Sequence, residues 1–142
     1  LTVSEFTKEL VLKKELTIYD PNTWRPYCHV QDFASLIHKV ILTNINQIAF
    51  EIFNVGCNEN NYTKQMIVNQ ILEFFPKGKV KYLNKGFDAR NYRVDFTKVN
   101  TKLKFKPKYS IKQGIEELIV EIKKNNFNFH KKNQYGNYQI NL

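Results

Sequence analysis

Apolar residues recur at helical spacing in some stretches of this chain and at strand spacing in others. Every stretch is short, and Pro, Gly, Asn or Asp separates it from the next. This alternation excludes coiled coils and bundles of long helices, and the 142 residues have room for one domain with a modest core. No apolar run approaches the roughly 20 residues that a membrane-spanning helix needs. The apolar share of 42% and charged share of 25% are ordinary globular values, which argue against wholesale disorder. The chain opens on Leu1 without the basic, apolar and small-residue regions of a signal peptide. It reads as a portion of something longer, with a cytoplasmic location expected.

The periods predict a helix from Ser4 to Leu12, capped by Ser4, and a strand from Leu16 to Tyr19. Asp20, Pro21 and Asn22 form a turn. An extended Trp24 to Val30 follows, which Pro26 confines to an edge. Asp32 then caps a helix from Phe33 to about Thr43, with Phe33, Leu36, Ile37, Val40 and Ile41 on its buried side. Phe50 to Val55 alternates as a strand stopped by Gly56, and Cys57 to Tyr62 is a polar loop. Thr63 caps a helix bearing Ile67, Val68, Ile71, Leu72 and Phe75, closed by Pro76 and Gly78, ahead of a strand at Val80 to Leu83. Asp88 to Asp95 is extended or irregular, and Phe96, Val99 and Leu103 suit a short helix ended by Pro107. The clearest helix carries Ile111, Ile115, Leu118, Ile119 and Ile122 behind a Ser110/Gln113 capping box. Gly114 weakens this helix by about 1 kcal/mol relative to Ala, which predicts another backbone in close approach. The expected class is α+β: about four helices with short strands in mixed order, as residues 1–125, followed by a polar, aromatic tail at 126–142.

The formal charge of +9 places nucleic acid among possible partners. Yet 19 of the 22 basic residues are lysines scattered along the chain. With the excess of Asn, Ile, Phe and Tyr, this is the composition an A/T-rich genome writes into any protein. Arg25, Arg90 and Arg93 stand out against that background, because only a guanidinium offers planar, forked hydrogen bonding.

Several chemistries lack their residues. Cys28 and Cys57 form no CxxC pair and read as buried thiols; His29, His38 and His130 form no cluster, so no metal site is expected. Gly56, Gly78, Gly86, Gly114 and Gly136 are each isolated, which excludes a Rossmann fingerprint and a P-loop. No tyrosine is followed four residues later by Lys, and no Ser sits in a GxSxG turn. No residue of the chain is assigned a catalytic role.

Two stretches remain, and together they hold all three arginines: Trp24-Arg25-Pro26-Tyr27-Cys28-His29-Val30-Gln31-Asp32, and Asp88-Ala89-Arg90-Asn91-Tyr92-Arg93-Val94-Asp95-Phe96-Thr97-Lys98. Between them lies Asn54-Val55-Gly56, and after them Leu103, Phe105, Pro107, Ser110 and Gly114. This ordered set, over about residues 1 to 124, resembles the carboxyl-terminal part of the extended short-chain dehydrogenase/reductases, the NAD-dependent nucleotide-sugar epimerases and dehydratases. The resemblance implies a substrate-binding lobe that lacks the Rossmann domain. Its partners would be a nucleotide sugar and an amino-terminal NAD-binding lobe, with NAD expected in the parent enzyme and no cofactor in this chain.

By the same resemblance, Arg25 and Arg90 contact the diphosphate and Asn58 lies in a loop that touches the nucleotide. Tyr27 and Tyr92 are candidates to stack on base or sugar, although aromatics beside strands also serve as core. Arg93 falls on the other face of its extended segment and reads as structural, while Asp32 and Asp95 read as caps. The alternative from another class is a self-standing basic module that binds RNA or DNA, recognisable by lysines gathered on one face.

Overall fold

The structure is a computed structural model and describes residues 2–84 and 90–124. Six α-helices and four short strands follow in mixed order: α1 (Thr2–Val11), β1 (Leu16–Tyr19), β2 (Trp24–Pro26), α2 (Val30–Ile41), α3 (Ile45–Ile48), β3 (Asn61–Thr63), α4 (Lys64–Leu72), β4 (Val80–Leu83), α5 (Thr97–Leu103) and α6 (Ile111–Lys123). A single 3-10 turn covers Asn58–Asn60. The tail at 126–142, Gly86, Gly136, His130 and the first residues of the Asp88 stretch lie outside the described residues.

The strands form two separate pairs. β1 runs parallel to β4, Leu16 opposite Val80 through Tyr19 opposite Leu83, so the crossover between them carries most of the other elements. β2 is antiparallel to β3, with Trp24 opposite Thr63 and Pro26 opposite Asn61. Pro26 ends that ribbon, where its missing N–H costs no ladder bond.

Capping decides several boundaries as expected. The Thr63 hydroxyl accepts from the Met66 N–H at 3.1 Å, while Met66 Sδ accepts from the Thr63 N–H. In α6 the Ser110 hydroxyl accepts from the Gln113 N–H at 3.2 Å, and Gln113 Oε1 accepts from the Ser110 N–H at 2.8 Å. Each box satisfies orphan donors that the first helical turn leaves open.

Two apolar clusters hold the elements together. The first joins Leu10 of α1, Leu16 and Ile18 of β1, Ile67, Val68 and Ile71 of α4, and Ile111, Ile115 and Ile119 of α6. The second joins Leu36 of α2 to Phe96, Val99, Leu103 and Phe105, with Phe53 and Val55 packed against it. The periodic positions of the three long amphipathic helices thus fall on two cores rather than one.

Four expectations need correction. α1 starts at Thr2, so Ser4 is inside it. Among the described residues there are six helices rather than about four, and the one-turn α3 lies beyond the helix expected to end near Thr43, in residues for which no element is expected. Phe50 to Val55 forms no strand: exposure alternates from Glu51 to Val55, but the segment has no partner ladder among the described residues. Asp32 caps nothing, because α2 begins two residues earlier with His29 at its N-cap, and the carboxylate is buried elsewhere.

Candidate functional site

β2 is the spine of the site, with a different segment on each edge. On one side is β3. On the other, the Trp24 N–H donates to Asn91 Oδ1 at 2.9 Å and the Tyr92 N–H donates to the Trp24 carbonyl at 3.4 Å, although residues 24 and 91 are 67 positions apart. The two arginine-bearing stretches are therefore neighbours. Asparagine side chains fasten the second stretch down. Asn61 donates Nδ2–H to the Val94 carbonyl at 3.0 Å and accepts the Val94 N–H on Oδ1 at 2.9 Å, reproducing with one side chain the paired bonds of a strand ladder. Asn58 Oδ1 accepts from the Phe96 N–H at 2.9 Å, and Asn54 Nδ2 donates to the Asp95 carbonyl at 3.3 Å. In the sequence the asparagine excess reads as composition, with Asn58 alone singled out by resemblance. Their one visible signal was their concentration between Asn54 and Asn61.

Asp95 lies one residue ahead of the N-cap of α5, which is Phe96 and makes no side-chain cap bond, so the expected cap is displaced into a local bond with Thr97. Asp95 Oδ1 accepts from the Thr97 N–H at 2.9 Å and from the Thr97 hydroxyl at 2.6 Å, bonds that hold the carboxyl below the usual carboxylate range.

The candidate residues are distributed around this spine. Arg25, half-buried, donates from Nη1 to the Trp24 carbonyl at 2.7 Å, and its guanidinium carbon lies 5.5 Å from the centre of the Tyr92 ring. Arg93 lies over the Trp24 ring at 5.0 Å. The pairs are reciprocal: each stretch places an arginine on an aromatic ring of the other, in cation–π geometry. This stacking is the structural use of Arg93 that alternation suggested. Arg90 and Tyr92 are exposed, and Arg90 sits at the turn directly before Asn91. Asn58 is also exposed, but its carbonyl oxygen is engaged with Phe96. Tyr27 packs edge-on against Tyr62, ring centres 6.4 Å apart, and its N–H donates to the Asn60 carbonyl at 2.9 Å. Burial pushes the Tyr27 phenol up, with Thr2 and the Arg25 charge pulling the other way.

Arg25 and Tyr27 open onto a cleft of about 650 Å³ between the start of α1, residues 25–31 and α6. His29 stands in it. Its Nδ1 accepts from the Gln31 N–H at 3.2 Å to cap α2, which leaves Nε2–H to donate to Glu117 Oε2 at 3.1 Å. Its ring also stacks on Tyr109 at 4.4 Å between centres. A Cβ on Gly114 would meet His29 Cδ2 at 3.4 Å, so the group that approaches α6 at this glycine is an imidazole rather than the backbone expected. Cys28 is exposed and Cys57 half-buried, which corrects the reading of both as buried thiols. Partial desolvation, then Asp32 and Cys57, push the Cys28 thiol up to about 11, so it is no ready nucleophile.

The glycines bear on cofactor binding. Gly56 is pressed against the Phe96 ring, Gly78 lies between Leu10 and Leu72, and Gly114 lies under His29 inside α6. Each serves packing, and none begins a helix in the way a pyrophosphate-binding turn requires. The described residues therefore do not fit a resident NAD. Among them no group of three His, Cys, Asp or Glu could hold a metal ion, and no helix is long and apolar enough to cross a membrane.

No family model matches the chain, and no curated protein matches it either. Solved structures do. A UDP-glucose 4-epimerase from Thermotoga maritima, determined with UDP-glucose, superimposes on 89% of this chain with a TM-score of 0.72 at 24% identity. A dTDP-glucose 4,6-dehydratase from Bacillus anthracis, in complex with NAD, superimposes on 88% with a TM-score of 0.72 at 26% identity. A UDP-glucuronic acid 4-epimerase from Bacillus cereus, with UDP-glucuronic acid and NAD, covers 88% with a TM-score of 0.74 at 22% identity. In each case the chain spans 40% of the other protein's length. Its fold resembles part of the fold of NAD-dependent sugar epimerases and dehydratases.

Proposed function

We propose that this chain is the substrate-binding lobe of an NAD-dependent nucleoside-diphosphate-sugar epimerase or dehydratase. In this reading Arg25 and Arg90 hold the diphosphate, and the hydride-transfer chemistry on the sugar belongs to the enzyme that includes an NAD-binding lobe. The observation that carries the reading is the joining of the two arginine stretches along β2, where Trp24 bonds both Asn91 and Tyr92. It brings the backbones that bear Arg25 and Arg90 to one edge beside the asparagine loop. Tyr92 and Tyr27 flank that edge and are candidates to contact base or sugar, with Asn58 keeping the loop in shape. A guanidinium suits a diphosphate because it grips two oxygens at once.

The basic surplus needs no nucleic-acid partner in this reading. Lys98 and Lys102 both bind Glu51, and Lys112 binds Glu73 at 2.6 Å. The structural likenesses give no support to an RNA- or DNA-binding module.

The test is calorimetric titration of UDP-glucose and dTDP-glucose into the assembled two-lobe enzyme. Arg25→Lys or Arg90→Lys should weaken binding at least tenfold, the loss expected when most of a charge-assisted hydrogen bond worth roughly 1.5 to 3 kcal/mol is given up. Unchanged affinity in the Arg90→Lys variant would remove the diphosphate clamp and leave the fold likeness alone.

A further inference from the structure

Three consecutive residues of the second arginine stretch end on one residue of the first. Asn91 Oδ1 accepts the Trp24 N–H at 2.9 Å, the Tyr92 N–H donates to the Trp24 carbonyl at 3.4 Å, and the Arg93 guanidinium carbon lies 5.0 Å from the centre of the Trp24 ring. The same carbonyl accepts from Arg25 Nη1 at 2.7 Å, and Arg25 in turn lies over the Tyr92 ring. One half-buried residue therefore holds both the Arg25 guanidinium and the segment that follows Arg90.

The backbone alone holds that segment weakly. Among the described residues the Tyr92 bond is the one backbone–backbone hydrogen bond of residues 91–93, and 3.4 Å is long for an N–H donor. Its acceptor is also shared with a charged donor that lies closer. Asn61 and Asn58 fasten Val94 and Phe96, but these lie beyond Arg93, on the side away from Arg90. The Asn91 bond and the stack of Arg93 on Trp24 make up the difference. Indole offers the best cation-binding face among the aromatic side chains, and a planar guanidinium stacks on it as an ammonium does not.

We infer that Trp24 is a positioning residue of the arginine site: by holding Arg93, its ring sets the 91–93 segment, and with it Arg90 and Tyr92, relative to Arg25. The effect on binding rests on the diphosphate reading above, whereas the effect on the segment rests on the Trp24 contacts alone. Neither Trp24 nor Arg93 has to touch a substrate. Their stack orders the segment before a ligand arrives, so its loss weakens affinity through lost preorganisation.

Trp24 is the one tryptophan of the 142 residues, so its emission reads the contact directly. The first part of the test uses the full chain without ligand. Arg93→Met removes an exposed charge while keeping a long side chain. It should alter Trp24 emission and speed amide hydrogen exchange at Tyr92 at least threefold, while the Val94 amide, held by Asn61, stays as it was. Trp24→Leu should speed Tyr92 exchange by a similar factor, and Trp24→Phe, which keeps a cation-binding face, should preserve most of the protection. The Arg93→Met/Trp24→Leu double variant should exchange no faster than either single variant, because both remove one contact. In the assembled two-lobe enzyme, Arg93→Met should weaken UDP-glucose or dTDP-glucose binding about two- to fivefold, the size of one exposed cation–π contact. Trp24→Phe should weaken it less.

Unchanged Trp24 emission and unchanged Tyr92 exchange in Arg93→Met overturn the inference. So does faster exchange with unchanged affinity in an enzyme that Arg90→Lys weakens tenfold, since the stack is then structural and positions nothing for the ligand. If Arg25→Lys and Arg90→Lys both leave affinity unchanged, the diphosphate clamp falls, and the hold of Trp24 on residues 91–93 stands or falls on emission and exchange alone.

Discussion

Asp32 accepts the backbone N–H of Lys108 on Oδ1 at 2.8 Å across 76 positions of chain, and its Oδ2 accepts that of Tyr109 at 3.1 Å. This buried carboxylate ties α2 to the loop that leads into α6. It also fixes the end of the cleft where Tyr109 stacks on His29.

Replacing Asp32 with Ala leaves two partly buried N–H donors without acceptors, and Asp32→Asn sets an amide donor against one of them. Each change should cost about 1 to 3 kcal/mol. Urea denaturation of the two variants measures it. Asp95→Ala, which removes an exposed helix-start interaction, should cost only about 1 kcal/mol. Equal losses at the two positions would contradict the bridging role of Asp32.

Gly56 has φ +151°, and a Cβ there would lie 2.7 Å from Cε1 of the buried Phe96. Strain and overlap act together in Gly56→Ala, and a loss of roughly 2 to 4 kcal/mol is expected. Phe96→Leu opens space for the new methyl while costing core packing of its own, so the double variant should be more stable than the sum of the single losses implies. A thermal melt of the four proteins decides whether the Phe96 contact is the cause.

Lys102 and Lys98 hydrogen-bond the Glu51 carboxylate and lower its pKa to about 2. A folded-state pKa below the unfolded one means the pair contributes stability above the ordinary carboxylate range. That contribution is lost as pH falls from about 4.5 toward 2. Lys102→Met should raise the Glu51 midpoint in a carboxylate NMR titration and flatten the acid limb of stability. Added salt should have the same direction of effect, since the group is at the surface. A midpoint unmoved by Lys102→Met would show that the pair does not persist in solution.

NAD should not bind this chain measurably, because its described glycines are committed to packing and none opens a helix around a pyrophosphate. Calorimetry with NAD should give no heat beyond dilution. Tight stoichiometric binding would overturn the assignment of this chain as a lobe without the dinucleotide site.

The sequence by itself determined the elements whose signals are local. Ser110 with Gln113 and Thr63 with its following turn set the starts of α6 and α4, because a cap is a contact between residues three apart. β1 and β4 were legible from composition and flanking turns, though not that they pair in parallel. The tertiary structure alone decided where polar side chains are used. Asp32 has the residue type and position of a helix cap, but two N–H groups from residues 108 and 109 satisfy it better in a buried site. Asn54 reads as the end of a strand and Asn58 and Asn61 as members of a polar loop, and only the approach of residues 94–96 makes them the pegs of the site. Arg25 and Arg93 stood out by type, while their stacking on Tyr92 and Trp24 depends on the 91–95 segment reaching β2. The strand pattern at Phe50 to Val55 is present in the sequence but forms no ladder among the described residues, because a strand exists only when another supplies its hydrogen bonds.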